Sequence, residues 1–84
     1  MNAPDWLAAR SGTLKPGVRP ETTFVILEAQ PLYKLEVRPA VGKFACSVSS
    51  TLNGKRLDDP AVTYPTADAA LTGGLDQLRA KLGW

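Results

Sequence analysis

The sequence predicts an α+β domain: a small antiparallel meander of three to four strands packed on one C-terminal α-helix, with a short N-terminal helix. Three patterns carry that expectation. Tyr33, Leu35 and Val37 alternate with Lys34, Glu36 and Arg38, and Phe44, Cys46 and Val48 alternate with Ala45, Ser47 and Ser49. This is the two-residue period of half-buried strands. From Ala67 onward the period becomes helical, with Ala67, Ala70, Leu71, Gly74, Leu75, Leu78 and Leu82 forming one apolar stripe. Between these segments stands Asn53-Gly54, a strong hairpin signal because both residues tolerate positive φ.

The elements follow in order. Residues 3–10 suit a short helix, with Pro4 and Asp5 in its first turn and Gly12 placed to stop it. Residues 12–21 hold two prolines and two glycines and read as an extended connector. Phe24 to Leu27 is a continuous apolar, β-prone run, the pattern of a strand covered on both faces. Residues 28–32 supply a turn around Pro31, and the strand from Tyr33 ends at Pro39 and Gly42. The strand from Lys43 runs to Leu52. A two-residue loop at Asn53-Gly54 would pair Leu52 with Lys55, Thr51 with Arg56 and Ser50 with Leu57, placing Leu57 on the face of Val48. Asp58-Asp59-Pro60 breaks that strand, and Val62 to Tyr64 continue it.

Thr66 is placed to cap the last helix, Asp68 and Arg79/Lys81 suit its two ends, and Gly83 suits a left-handed C-terminal residue that folds Trp84 back onto Leu78. Gly73-Gly74 costs on the order of 1 kcal/mol per glycine relative to alanine, and the expected compensation is close approach of helix to sheet at Gly74. The chain reads as a single domain, 1–84: residues 1–22 as short helix plus connector, 23–64 as sheet and 66–82 as helix.

Composition narrows function. Eighty-four residues make one small domain, and a net charge of +2 is too mild to announce a nucleic-acid or membrane binder. The distribution is uneven: Lys34 to Arg56 contains five basic residues against Glu36 alone. With one cysteine and no histidine there is no intramolecular disulfide and no cysteine-based metal site. A reducing, cytoplasmic setting is expected, since small secreted domains usually need disulfides. The N-terminal segment lacks the pattern of a signal peptide, and no apolar stretch has the length of a membrane span.

Catalytic chemistry has little to stand on. The commonest general base is missing. Cys46 lies on the predicted core face and reads as a small buried hydrophobe. Asp58-Asp59 reads as turn chemistry, and Gly73-Gly74 lies inside the helix rather than ahead of it as a phosphate loop would. Neither an enzyme, a cofactor nor a metal is expected. For binding, Lys34, Arg38, Lys43, Lys55 and Arg56 are the candidate nucleic-acid contacts. The expected outer sheet face carries Lys34, Glu36, Arg38, Lys43, Ser47, Ser49, Thr51 and Arg56, while Tyr33 and Phe44 fall on the core face, so no aromatic stacking platform is expected. Phe24, Val25, Ile26 and Leu27 are the candidate partner edge, to be covered by residues 3–20 or by a second chain, as in a homodimer with a continuous sheet.

Two families share part of this outline. The helix–three strands–helix order is similar to the double-stranded RNA-binding domain, which implies phosphate contacts from lysines opening the second helix. Here Thr66-Ala67-Asp68 stand at that place. The hairpin Asn53-Gly54-Lys55-Arg56 ahead of an Ala-rich helix resembles the arm-binding sheet domain of phage-type integrases, over roughly half the chain. Neither resemblance assigns the chain to a family. The expectation is a non-enzymatic binding or interaction domain, homodimeric through its first strand edge or engaging an unidentified protein partner. The alternative is a weak nucleic-acid binder using the basic sheet face.

Overall fold

A computed structural model describes residues 3–59 and 61–84. The chain forms α1 (Asp5–Ala8), β1 (Thr13–Pro16), β2 (Thr22–Leu27), β3 (Gln30–Ala40), β4 (Lys43–Ser50) and α2 (Ala67–Leu82). The four strands make an antiparallel meander in the order β1-β2-β3-β4. Helix α2 packs on β3 and β4. Leu7 of α1 joins Val25, Leu27, Leu35, Cys46, Val48, Ala70, Leu75 and Leu78 in one buried core.

The alternating segments behave as their pattern requires. Leu35 pairs with Val48 and Val37 with Cys46 on the inner face, while Lys34 pairs with Ser49 and Glu36 with Ser47 on the outer one. Helix α2 is capped at both ends. Thr66 Oγ1 accepts the Ala69 N–H at 3.0 Å, and Gly83 takes φ 73°, letting the Trp84 N–H reach the Arg79 carbonyl at 3.1 Å. The helix glycines mark close approach: a Cβ at Gly74 would overlap Cys46 Sγ, and one at Gly73 would overlap the Tyr64 ring.

Four features depart from the sequence-based expectation. The segment expected as a connector contains β1, which pairs along β2 from Thr13–Ile26 to Pro16–Thr23. β3 begins at Gln30, inside the expected turn, and runs through both Pro31 and Pro39. The register shift at Val25/Ile26 leaves Leu32 without a partner on β2, a bulge beside which Pro31 costs no ladder hydrogen bond. The tight hairpin turns are Glu28-Ala29 and Val41-Gly42, each with positive φ at both positions. The loop at Asn53-Gly54 is wider than two residues. The Ser50 N–H donates to the Lys55 carbonyl, and Arg56 bridges to Ser49 rather than Thr51. That shift of two keeps Leu57 level with Val48 on the same face, its N–H donating to the Val48 carbonyl at 2.7 Å.

The segment after the loop runs along the outer edge of β4. It touches β4 at Arg56–Ser49 and again at Tyr64–Phe44, so no continuous fifth strand forms. Pro60, assigned to the break between these contacts, lies outside the described residues. Gln77 of α2 fastens this segment: its Oε1 accepts the Asp59 N–H at 2.6 Å, and its Nε2 donates to Tyr64 Oη at 2.9 Å.

Candidate functional site

The outer sheet face gathers the chain's basic excess. Pleating sends every second side chain of β3 and β4 outward, so Lys34, Arg38, Ser47 and Ser49 share that face, and the Ser49 bridge adds Arg56. Lys34, Arg38 and Arg56 line one shallow groove of about 150 Å³ with Glu36, Ser47, Ser49 and Gly54. The other two candidate cations lie beside this groove without lining it. Lys43 stands four residues along β4 from Ser47, about 13 Å away, and two beyond the Ala45 that pairs with Arg38. Exposed Lys55 lies in the loop between Gly54 and Arg56.

Two of the three clustered cations already hold carboxylates. Arg38 is ion-paired with Glu36, its Nε donating at 2.8 Å, and that hydrogen bond is the first cause holding the Glu36 carboxyl below its usual range. Arg56 donates to Asp58 through Nε at 3.1 Å and Nη2 at 2.6 Å. The Asp58 side chain is 1% exposed, and its Oδ1 also accepts the Val48 N–H at 2.9 Å. Burial opposes its ionisation, but the hydrogen bonds from Arg56 and Val48, with the Arg56 charge, outweigh it and hold the carboxyl below the usual range. Asp58 thus serves as a strand-edge acceptor. Among the described residues, Lys15, Lys34, Lys43 and Lys55 have no carboxylate within ion-pair distance.

β2 brings to this face a group that sequence reasoning missed. Phe24 lies opposite Lys34 on β3 and opposite Lys15 on β1. A row therefore crosses the sheet: Lys15, Phe24, Lys34, Ser49, Arg56. Ile26 is outward like Phe24, both half-buried, whereas Val25 and Leu27 are in the core. The run is therefore covered on one face only, and an aromatic ring does stand among the outer cations. Its parity was illegible because Phe24-Val25-Ile26-Leu27 has no polar–apolar contrast. Only the turn and the bulge that link it to β3 decide it.

Phe24 to Leu27 is also not a free edge, since β1 lies along it. The exposed edge is β1, and it is poorly suited to pairing. The Gly17 N–H donates inward to the Thr22 carbonyl, so ladder alternation turns Leu14 and Pro16 outward. Pro16 has no N–H, leaving a four-residue edge with one outward donor.

The remaining candidates are structural in placement. Cys46 is a free thiol, 4% exposed, and burial, with the Asp58 charge, pushes its pKa up to about 11. It stays protonated and packs beneath Gly74. Asp59 is engaged in its loop, where its Oδ1 accepts the Ala61 N–H at 2.9 Å. Among the described residues no group of three His, Cys, Asp or Glu side chains converges as metal ligands do, and no helix is long and apolar enough to cross a membrane. A concavity of about 720 Å³ lies where the β1–β2 loop faces the start of α2. There Glu21, Glu36 and Asp68 outnumber Arg19 and Arg38, so its charge does not select an anion. Comparisons with protein-family models, curated proteins and solved structures find no match for this chain.

Proposed function

We propose that this chain is a non-enzymatic binding module that engages nucleic acid through the outer face of its sheet. The observation that carries the reading is the convergence of Lys34, Arg38 and Arg56 with two serine hydroxyls on one groove, continuous with Lys15 across the sheet. Cations on a rigid sheet suit phosphate contacts. A reducing, cytoplasmic setting fits a chain whose lone cysteine is buried. The test is fluorescence anisotropy of labelled DNA and RNA at rising salt. With three phosphate contacts, affinity falls roughly twentyfold for a single strand and roughly fortyfold for a duplex between about 50 and 200 mM salt. The double variant Lys34→Gln/Arg38→Gln weakens binding and flattens that slope. Absence of binding at the lowest salt refutes the reading.

A second reading, a protein partner or a second copy on the same face, is favoured by its apolar side, where Val18 is fully exposed beside half-buried Phe24 and Ile26. Sedimentation over a wide concentration range separates the two. A dimer that dissociates in Phe24→Glu supports the second.

A further inference from the structure

The outer face is divided into two unlike halves. Over β3 and β4 cations outnumber acids and hydroxyls stand beside them, with Lys34, Arg38, Ser47, Ser49 and Arg56 around the groove and Glu36 paired to Arg38. Over β2 it is apolar, with Phe24, Ile26, Pro31 and Val18 lining a second concavity to which the outward residues of β1 add Thr13 and its one cation, Lys15. The halves meet at the Phe24–Lys34 pair. Because neighbouring strands lie about 4.8 Å apart, the side chains of Lys15 and Lys34 flank the ring on both sides.

A polyanion of uniform surface does not match this division. Duplex nucleic acid presents phosphates and keeps its base faces stacked, so the apolar half would meet only charge and water. The described residues of the sheet face also offer no helix or ribbon to enter a groove. A single strand alternates phosphates with unpaired base faces, and that alternation matches cation, ring, cation across the sheet. We propose that this face binds single-stranded nucleic acid laid across the strands from Lys15 to Arg56, with one base stacked on Phe24 and the adjacent phosphates held by Lys15 and Lys34. The row spans about 19 Å, enough for the smallest sites of sheet-type single-strand binders, about 4 nucleotides. Arg56, oriented by Asp58, closes the far end. This inference rests on the nucleic-acid reading and adds the form of the ligand and the role of Phe24.

The experiment compares anisotropy of a labelled oligo(dT) of about 15 nucleotides with its duplex on oligo(dA), using the whole chain. The single strand binds more tightly, and Phe24→Leu, which stays apolar but removes the ring, loses roughly tenfold in affinity for it with little change for the duplex. Phe24→Trp retains binding, and its added indole emission is quenched by the oligonucleotide. This guards against a Phe24→Leu chain that fails to fold. Equal affinity for both forms, or full affinity in Phe24→Leu with unquenched Phe24→Trp, overturns the single-strand inference while salt-sensitive binding upholds nucleic acid as the ligand. No binding of either form overturns both. A Phe24-dependent dimer whose formation oligo(dT) leaves untouched overturns the assignment of this face to nucleic acid.

Discussion

Asp58 does the work of a missing strand residue. Its carboxylate takes the Val48 N–H that would otherwise face outward from β4, and it holds the Arg56 guanidinium in the same grip. An N–H bonded to a charged acceptor contributes more than a neutral pair does, so Asp58→Ala lowers unfolding free energy by about 2 kcal/mol in urea titrations. The linkage to pH has a definite sign. The folded carboxyl titrates below its ordinary value, so its contribution is complete above the unfolded value of about 3.9. It is lost as pH falls through the folded value. Stability of the native chain therefore declines on acidification below about pH 4, and Asp58→Asn shows a shallower decline over that window. An unchanged slope in Asp58→Asn would remove Asp58 from the account. The Asp58-Asp59 pair was legible as turn chemistry, but its pairing with Val48 was not, because ten residues and a loop separate them.

The hairpins carry a local conflict between sequence and conformation. Asn53-Gly54 is the pair that a tight turn prefers, yet only Gly54 takes positive φ, and Asn53 Oδ1 accepts the Lys55 N–H at 2.9 Å in a wider loop. The two tight turns fall instead on Glu28-Ala29 and Val41-Gly42, where Ala29 and the β-branched Val41 adopt φ 62° and 47°. Such residues pay roughly 1–2 kcal/mol in the left-handed region, and Val41 offsets none of it by packing, being fully exposed. Val41→Asn and Ala29→Gly should therefore each stabilise the chain by about 1 kcal/mol. The turns lie at opposite ends of β3, so the double variant adds the two gains. A fall in the urea midpoint for either variant would contradict the turn geometry.

At the scale of the whole chain, the segment around α1 meets Trp84, the residue after the cap of α2. The Trp6 and Trp84 rings lie 6.0 Å apart at 57°, Arg10 sits 4.1 Å over the Trp84 ring, and the Trp84 carbonyl accepts from Arg79 Nε at 2.9 Å. Trp84 was expected to fold back onto its own helix. It also reaches α1 and so helps hold Leu7 in the core. Trp84→Ala costs about 2 kcal/mol, roughly half of what a fully buried Trp loses. It also exposes residues 3–12 to proteolysis ahead of the sheet, and uniform protection of that segment would show that α1 docks without the clasp. This closure keeps both helices on the inner face, leaving the outer face open over all four strands. That openness is the premise of the binding tests above.

What the sequence determined by itself is what local periodicity encodes: the inward and outward sets of β3 and β4, the stripe and caps of α2, and the close approach at Gly74. Each depends on neighbours within a few residues, so alternation, helical spacing and a capping threonine suffice to read it. Pairing between distant segments decided the rest. A Pro- and Gly-rich segment became β1 because β2 supplied its partners. Phe24 turned outward because the turn at Glu28-Ala29 and the bulge at Leu32 set its parity. The Asn53-Gly54 loop opened by two residues in a register that buries Leu57 on the same face. Burial does not distinguish those two registers, and the hydrogen bonds of Asp58 and Gln77, visible only once the chain has folded, favour the wider one.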